Sequence, residues 1–469
     1  MSQGPHSRKR NDSGKSATVH KRGDGIGGGP SGNANYNRKT GGGGGAVRAG
    51  GGLGIVALIL FLLFGNGLGG GGGSSQNQIP VQPTPATQPS GNTQGNTSGN
   101  TGGNTSSLAN LFNFGTAASN QSSYVNATTN TLDTSVAAGS RKKYTTLKGN
   151  GKDTVTVLVY MCGTDLESKY GMATADLNEM VNSVQSDKLN VIVETGGTSR
   201  WKNNAMTART NQRWKIASKS LVTLDKNMGA KAMTDPNTLA DFIKYGVKNF
   251  PADRYMLIFW DHGGGSVQGY GYDELYPNSS MSVDEIAQAL KAGGVKFDII
   301  GFDACLMANM ETAIAVEPYG DYLIASEETE PGTGWYHTEW LSMLAQNTST
   351  SSLEIGKKII DDFCTKAQSG AAAGDKNTLS IIDLAEFKNT VPAKLSAFAN
   401  QISSEVKNDN YQAVADVRSR TKEFAQANRL DQIDLVHFCE SMNTKESKAL
   451  ANALRSCVKY NRTRNVNNA

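Results

Sequence analysis

Two stretches, YMLIFWDHGGG (residues 255–265) and FDIIGFDACLMAN (residues 297–309), decide the fold of this chain. Each opens with an apolar run rich in isoleucine, leucine and aromatic residues. Such runs are typical of strands buried on both faces of a parallel sheet. Between them, residues 282–292 carry apolar side chains at helical spacing, so the predicted unit is strand, helix, strand.

Each of the two apolar runs is followed by a side chain with catalytic chemistry, His262 after the first and Cys305 after the second. Parallel strands joined by a helix end at the same sheet edge, where open α/β sheets bind ligands. A neighbouring imidazole is the commonest way to activate a thiol. The glycines that begin at Gly263 let backbone N–H groups approach a substrate carbonyl, as an oxyanion hole requires. Asp303 adds a carboxylate near the same place.

The surrounding pattern predicts an α/β domain with a mostly parallel central sheet flanked by helices. Before His262, the predicted elements are a strand at 154–162, a helix at 165–185, a strand at 190–194, an antiparallel pair at 211–217 and 221–225, and a helix at 239–250. After Cys305, they are a helix at 306–316, a strand at 322–326, a helix at 353–368 and a last strand at 379–383, with the remainder mostly helical. A helix that begins at the nucleophile would favour the thiolate.

The N-terminal third is unlike the domain that follows it. Residues 1–48 are basic and glycine-rich, and such a segment is predicted to be a disordered tail. Residues 49–68 contain the apolar run LGIVALILFLLF (53–64), which just reaches the length of a membrane span with its flanks. The cationic residues before it predict an anchor with the rest of the chain outside the cell membrane, and a cleaved signal peptide, leaving a secreted protein, is the alternative. Residues 69–150 are a low-complexity linker and a transitional segment, and 151–469 form the predicted domain.

Charge and cysteine content exclude several classes of protein. A net charge of +4 over 469 residues does not indicate a nucleic-acid-binding protein. Five cysteines without C-x-x-C spacing argue against a disulfide scaffold or a zinc site. Residues 141–143 (RKK) are predicted to be exposed, either as a solvated charge cluster or as a processing site.

Four motifs resemble the clostripain family of cysteine peptidases: VLVYMCGTDLE, WDHGGG, DACLMANMETA and SEETEPGTGW. The resemblance runs from residue 154 to the C-terminus and implies a caspase-like fold and cleavage of peptides or proteins after basic residues, with arginine preferred over lysine. Matched motif by motif, it implies that His262 and Cys305 are the catalytic pair and that Asp303 holds the basic P1 side chain. No cofactor is required by this mechanism, although the family's founding member depends on calcium, so Ca²⁺ binding stays open.

Other polar residues near the two motifs receive weaker assignments. Glu327, Glu328 and Glu330 follow a predicted strand and could serve a cationic P1 side chain or simply face solvent. Asp261 is predicted to form local hydrogen bonds, because neighbouring strand residues point to opposite faces. His337, like His437, lacks a catalytic setting in the sequence.

One departure from the family concerns maturation. Some members cut themselves at a basic residue between the catalytic pair, but residues 263–281 contain no lysine or arginine. Two-chain maturation in this loop is therefore in doubt. Two other functions stay open, a catalytically silent surface-displayed binding module and a thiol-dependent amidase or transpeptidase.

Overall fold

The computed structural model describes residues 131–277, 279–366, 376–426, 430–464 and 466. These residues form a mixed α/β domain around one sheet of nine strands, in the order β4-β3-β2-β1-β5-β6-β7-β8-β9. The strands are β1 Val155–Cys162, β2 Leu189–Gly196, β3 Gln212–Ala217, β4 Ser220–Asp225, β5 Arg254–Trp260, β6 Phe297–Asp303, β7 Gly320–Ala325, β8 Asn377–Asp383 and β9 Val458–Arg464. The five central strands, in the spatial order β2-β1-β5-β6-β7, are parallel to one another. At one edge β3 and β4 are antiparallel, and at the other edge β8 and β9 are antiparallel.

Helices cover both faces of the sheet. They are α1 Thr164–Tyr170, α2 Met172–Asn182, α3 Pro236–Asn249, α4 Gly265–Gln268, α5 Val283–Gly293, α6 Met310–Val316, α7 His337–Gln346, α8 Ser352–Lys366, α9 Leu384–Thr390, α10 Pro392–Lys407, α11 Tyr411–Arg420, α12 Leu435–Met442 and α13 Lys445–Cys457. Apolar residues of α1, α2, α7 and α8 pack on one face, and those of α3, α5, α6, α9, α10, α11, α12 and α13 pack on the other. The prediction of an α/β domain whose central sheet is flanked by helices is confirmed.

The central unit forms because β5 and β6 are buried on both faces. On one face, the rings of Phe259 and Phe302 stack with centroids 4.5 Å apart, and Tyr270 packs edge-on against Phe259. On the other, Trp260 and Trp335 are fully buried. The connecting helix α5 begins with a capping box, which stabilises its first turn. The two strands are thus fixed side by side in parallel register.

Several predicted elements have different bounds. The single helix predicted at 165–185 is two helices, α1 and α2, because Gly171 between them adopts a left-handed backbone with φ 71°. The expectation that the strand at 379–383 is the last was wrong, since β9 follows α13 and pairs with β8. The sequence of β9, VKYNRTR, is too polar for a buried strand and forms at the sheet edge.

The predictions for the N-terminal third fall mostly outside the described residues. The tail, the anchor at 49–68 and the linker as far as residue 130 lie there. Within the described residues, the structure contains no helix long and apolar enough to cross a membrane.

The basic cluster at residues 141–143 is not exposed as expected. The Arg141 guanidinium pairs with Glu317 at 3.1 Å and with Asp321 at 2.9 Å. Lys143 pairs with Asp383, and only Lys142 is open to solvent. Side-chain ion pairs with distant acidic residues therefore hold this part of the transitional segment on the domain.

Candidate active site

The structure places His262 and Cys305 at equivalent positions on adjacent strands. Trp260 and Asp303, the last residues of β5 and β6, are register partners. The Asp261 N–H donates to the Asp303 carbonyl at 3.4 Å, which extends the pairing beyond the strand ends. His262 and Cys305 therefore each lie two residues past the end of their strand, at the same edge of the sheet.

Gly263 lies directly against the backbone of Cys305. A Cβ atom built on Gly263 would collide with the Cys305 carbonyl oxygen and would lie only 3.0 Å from the Cys305 backbone nitrogen. Only glycine permits this close approach. The loop after β5 and the turn that carries the thiol are thus packed backbone to backbone.

The Cys305 thiol is fully buried and receives a backbone hydrogen bond. The N–H of Glu330 donates to Sγ at a distance of 3.2 Å. Donation to sulfur stabilises the thiolate relative to the thiol, because the hydrogen bond strengthens when the acceptor is charged. The loop after β7, which carries Glu330, thereby contributes to the environment of the Cys305 thiol.

The helix predicted to begin at Cys305 begins instead at Met310, with Asn309 as its N-cap. Leu306 has a left-handed backbone with φ 69°, which is incompatible with a helix at that point. The N–H groups of Leu306 and Ala308 donate to the carbonyls of Glu328 and Ser326, respectively, and so continue the pairing toward β7. The proposed effect of a helix N-terminus on the thiol was therefore wrong.

The backbone of His262 is fixed by the side chain of the preceding residue, Asp261. Its backbone N–H donates to Oδ1 of Asp261 at 2.5 Å, and the other oxygen of Asp261 accepts the N–H of Tyr272 at 2.6 Å. Burial raises the pKa of Asp261 to about 7, against the lowering influence of His262 and of the hydrogen bonds to it. Asp261 thus forms the local hydrogen bonds that the sequence predicted for it.

The imidazole of His262 has a partner that the sequence analysis missed. Its Nε2 atom lies 2.8 Å from Oδ1 of Asp165, at the start of α1, and both side chains are buried. The second oxygen of Asp165 pairs with Lys169 at 2.9 Å. Asp165 stands inside the VLVYMCGTDLE motif, but its closeness to His262 depends on β1 being the neighbour of β5.

Asp303, two residues before Cys305, lies in a buried polar cluster. Its Oδ1 atom accepts a hydrogen bond from the backbone N–H of Trp335 at 3.1 Å, and its Oδ2 atom is 3.3 Å from Nε2 of His337. Asp176 completes the cluster and accepts a 2.5 Å hydrogen bond from the indole of Trp260. His337, which the sequence analysis set aside, is thus a direct neighbour of Asp303.

In the described ranges, one group of three or more His, Cys, Asp or Glu side chains lies close enough together to hold a metal ion. It consists of Asp176, Asp303 and His337. Calcium takes six to eight oxygen ligands, usually including carbonyls and water. This fully buried set provides one imidazole and two carboxylates, each of which already accepts a hydrogen bond. The cluster does not fit calcium.

None of the three glutamates after β7 is fully exposed, and Glu327 is half-buried. Glu328 is buried, and its Oε1 accepts the N–H groups of Thr329 and Ala425 at 2.9 and 3.0 Å. Glu327 accepts a 2.7 Å hydrogen bond from Ser380, and burial raises its pKa. Glu330 is fully buried. At least the first two carboxylates brace the loop around Cys305.

The family model described as "Clostripain family" matches residues 159–466, about two thirds of the chain. This chain belongs to the clostripain family. The match includes both of the motifs that carry His262 and Cys305.

Individual relatives of this clostripain-family chain are distant. Clostripain of Hathewaya histolytica is 28% identical over 137 residues, which is 26% of each chain. The chain therefore spans about a quarter of the length of that curated relative. A secreted C11 cysteine protease of Bacteroides thetaiotaomicron, solved with an irreversible peptide inhibitor, is 20% identical with a TM-score of 0.47, over 66% of this chain and 85% of that one. An inactive zymogen C11 protease of Parabacteroides distasonis is 18% identical with a TM-score of 0.46, over 66% and 83%.

The C-terminal part of the clostripain-family domain covers the thiol. Cys305 and Leu306 form an apolar cluster with Phe424, Ala425, Leu430 and Val466, all of which are buried. The Gln432 amide donates to the carbonyls of Leu306 and Glu327 at 3.3 and 3.2 Å. Cys305 is 0% exposed, and this cluster is part of what shields its thiol from solvent.

Replacement of Phe424 by alanine is expected to speed alkylation of Cys305 by iodoacetamide about tenfold, because the change weakens the apolar cluster by at least ~1.4 kcal/mol. The rate is measured by mass spectrometry of the peptide that contains Cys305. Phe363→Ala, which removes a buried ring from a different apolar cluster, on the face of the sheet that α8 covers, is the control and should leave this rate near that of wild type. Equal alkylation rates in Phe424→Ala and wild type would contradict the conclusion that this apolar cluster shields the Cys305 thiol.

Proposed function

We propose that this chain is a cysteine endopeptidase that cleaves after basic residues through His262 and Cys305. One observation carries the proposal. An imidazole and a thiol lie at the carboxyl ends of adjacent parallel strands, in the motifs of the clostripain family, with a backbone N–H on the thiol. This is the arrangement that nucleophilic acyl transfer needs.

In the proposed reaction, His262 acts as general base and then as general acid. Because Nε2 faces Asp165, Nδ1 is the nitrogen that accepts the thiol proton. The Cys305 sulfur attacks the scissile carbonyl, and the carbonyl oxygen becomes an oxyanion. Collapse of the tetrahedral intermediate breaks the C–N bond, and His262 returns the proton to the leaving amine. Water then hydrolyses the thioester with the same histidine as base.

We place the oxyanion beside the backbone amides of Gly263 and Cys305. These two residues touch through their backbones, and neither brings a large side chain between them. Converging N–H groups in a water-excluded site stabilise the developing negative charge strongly. The close approach that excludes a Cβ atom at Gly263 supports this assignment.

For specificity, we propose that Asp303 binds the P1 side chain. It lies two residues before the nucleophile, and its Oδ2 atom faces the imidazole of His337. A P1 guanidinium that reaches this carboxylate replaces His337 as the partner of Oδ2. Arginine is preferred over lysine because a planar guanidinium can pair with a carboxylate through two hydrogen bonds.

This assignment is tested with fluorogenic peptides that differ only at P1, carrying arginine, lysine, alanine or aspartate, each with and without calcium. We expect arginine to be cleaved best, followed by lysine. Asp303→Asn should lower kcat/KM for the arginine peptide by about 100-fold, equal to ~2.7 kcal/mol of lost charge pairing, and should change the alanine peptide little.

The matched control is Asp362→Asn, which removes a partly buried carboxylate paired with Lys358 on α8. It should leave the order of the four substrates unchanged. If Asp303→Asn lowers the rates of all four peptides by the same factor, Asp303 supports the fold or the chemistry and not P1 selection.

We further propose that the peptidase acts outside the cell on a membrane tether. The apolar run within residues 49–68 and the basic residues before it support an anchor, with a cleaved signal as the alternative. Because residues 263–281 contain no lysine or arginine, we expect the active enzyme to keep its catalytic pair on one uncut chain. Immunoblots of membrane and medium fractions with antibody against the domain separate these possibilities.

A silent binding module or an amidase or transpeptidase on the same scaffold would give different results. A binding module leaves every peptide intact although the domain is folded. A transpeptidase transfers the acyl group to added amines in preference to water. Product analysis by mass spectrometry with and without glycine amide distinguishes both from the proposed hydrolase.

A further inference from the structure

Asp165 holds the imidazole of His262 through a buried hydrogen bond. The distance from Oδ1 to Nε2 is 2.8 Å, and the two side chains are 3% and 1% exposed. Because both side chains are almost excluded from solvent, the charge-assisted hydrogen bond between them is strong and orients the imidazole ring. A carboxylate behind the imidazole stabilises the imidazolium that forms when the thiol loses its proton.

The backbone around Asp165 is built to hold this side chain in place. Thr164 has a left-handed backbone with φ 46°, which is rare for a β-branched residue. It is fixed there because its N–H donates to the Gly197 carbonyl at 3.1 Å and its own carbonyl accepts the Thr198 hydroxyl at 2.9 Å. Backbone strain that is held by several hydrogen bonds concentrates at functional sites.

A buried carboxylate also needs a counter-charge when the imidazole is neutral, and Lys169 provides it. Its ammonium group lies 2.9 Å from Oδ2 of Asp165, one turn along α1. Burial alone would raise the pKa of Asp165, but the hydrogen bond and charge of His262, together with Lys169, lower it to about 2. Asp165 is therefore ionised throughout the neutral range.

We infer that Asp165 is a positioning residue that fixes the Nε2–H tautomer of His262 and stabilises its charged form, with Lys169 as counter-ion. This inference rests on the proposed role of His262 and Cys305. It adds a third side chain to the pair and gives the motif around Asp165 a function.

Three other titratable side chains lie around His262 and are the same in every variant of the test. Asp261 accepts the His262 backbone N–H, the Tyr272 ring lies 6.4 Å from the imidazole, and Cys305 is the proposed proton donor. None of them is altered by substitutions at Asp165 or Lys169.

The experiment measures alkylation of Cys305 by iodoacetamide from pH 4 to 10, together with the pH profile of kcat/KM. Asp165→Asn keeps a hydrogen-bond acceptor but removes the charge that favours the imidazolium. We expect the rise of alkylation with pH to move to higher pH and the alkaline limb of the kcat/KM profile to move to lower pH, each by about one unit. We expect kcat to fall by about 10- to 100-fold and KM to stay nearly unchanged. Asp165→Glu should recover part of the loss.

Lys169→Met gives a second test with the opposite sign, and it remains valid if Asp165→Asn does not fold. Without the lysine, the carboxylate acts on the imidazole unopposed, so the rise of alkylation should move to lower pH and the alkaline limb of the kcat/KM profile should move to higher pH. Asp362→Asn, which breaks a lysine–aspartate pair of the same i,i+4 spacing on α8, should move neither limb.

The outcomes separate this inference from the proposed function. Unshifted profiles in folded Asp165→Asn or in Lys169→Met would overturn the inference, even if wild type cleaves peptides normally. Conversely, wild type that cleaves no peptide would contradict the proposed function, while its alkylation profile would still report whether Asp165 acts on the His262–Cys305 pair.

Discussion

Replacement of Cys305 by alanine is expected to lower peptide cleavage by a factor on the order of 10³ or more, because no other thiol can form the acyl-enzyme. The other four cysteines are also buried, and none of them lies in the DACLMAN motif after β6. Burial raises the pKa of Cys439 to about 12, which makes that thiol a poor nucleophile. The measurement is kcat/KM on an arginyl fluorogenic peptide.

Two comparisons make the result specific. Cys439→Ala also removes a buried thiol, but it lies in α12 and should retain near-wild-type cleavage. His262→Ala should lose nearly as much activity as Cys305→Ala, and the double variant should lose little more, because residues of one catalytic unit are not additive. Normal cleavage by Cys305→Ala would refute the peptidase mechanism.

Replacement of Gly263 by alanine is expected to damage both stability and catalysis. The added Cβ would overlap the Cys305 carbonyl oxygen, a backbone atom that cannot rotate away. Separating the two loops should cost about 2 to 3 kcal/mol of unfolding free energy. A displacement of about 1 Å between the reacting groups should lower kcat about 100-fold. Urea denaturation and peptide cleavage measure the two effects.

Gly332→Ala is the matched control for this substitution. Gly332 also lies in a loop after a parallel strand, but the nearest atom to an added Cβ is the methyl carbon of Met172, at 3.9 Å. We expect a change in unfolding free energy within about 0.5 kcal/mol and unchanged cleavage. A Gly263→Ala protein with wild-type stability and activity would show that the two loops separate without cost.

The dependence of the site on the C-terminal part of the domain has a consequence for protein engineering. Phe424 and Leu430 cover a thiol that lies more than 100 residues earlier in the chain. Removal of the chain after β8 would expose that apolar cluster and the edge of β8 at the same time. Active-site assays therefore require the domain through β9 and Val466.

The sequence determined the parts of the site that depend on local pattern. Apolar runs of six residues predicted β5 and β6, helical spacing predicted α5, and their position after the two strands made His262 and Cys305 the candidate catalytic pair. The predictions of β5, α5 and β6 are confirmed, because periodicity and burial act over a few neighbouring residues. The strand–helix–strand connection then places both strand ends at one edge.

Only the tertiary structure decided which distant groups meet at that edge. Asp165 reaches His262 because β1 is the neighbour of β5 in the sheet, although 97 residues separate the two side chains. The left-handed backbone of Leu306 follows from hydrogen bonds toward the β7 loop, which outweigh the helical preference of residues 306–309. Strand order and the packing of remote segments depend on the free energy of the whole fold, so no local pattern contains them.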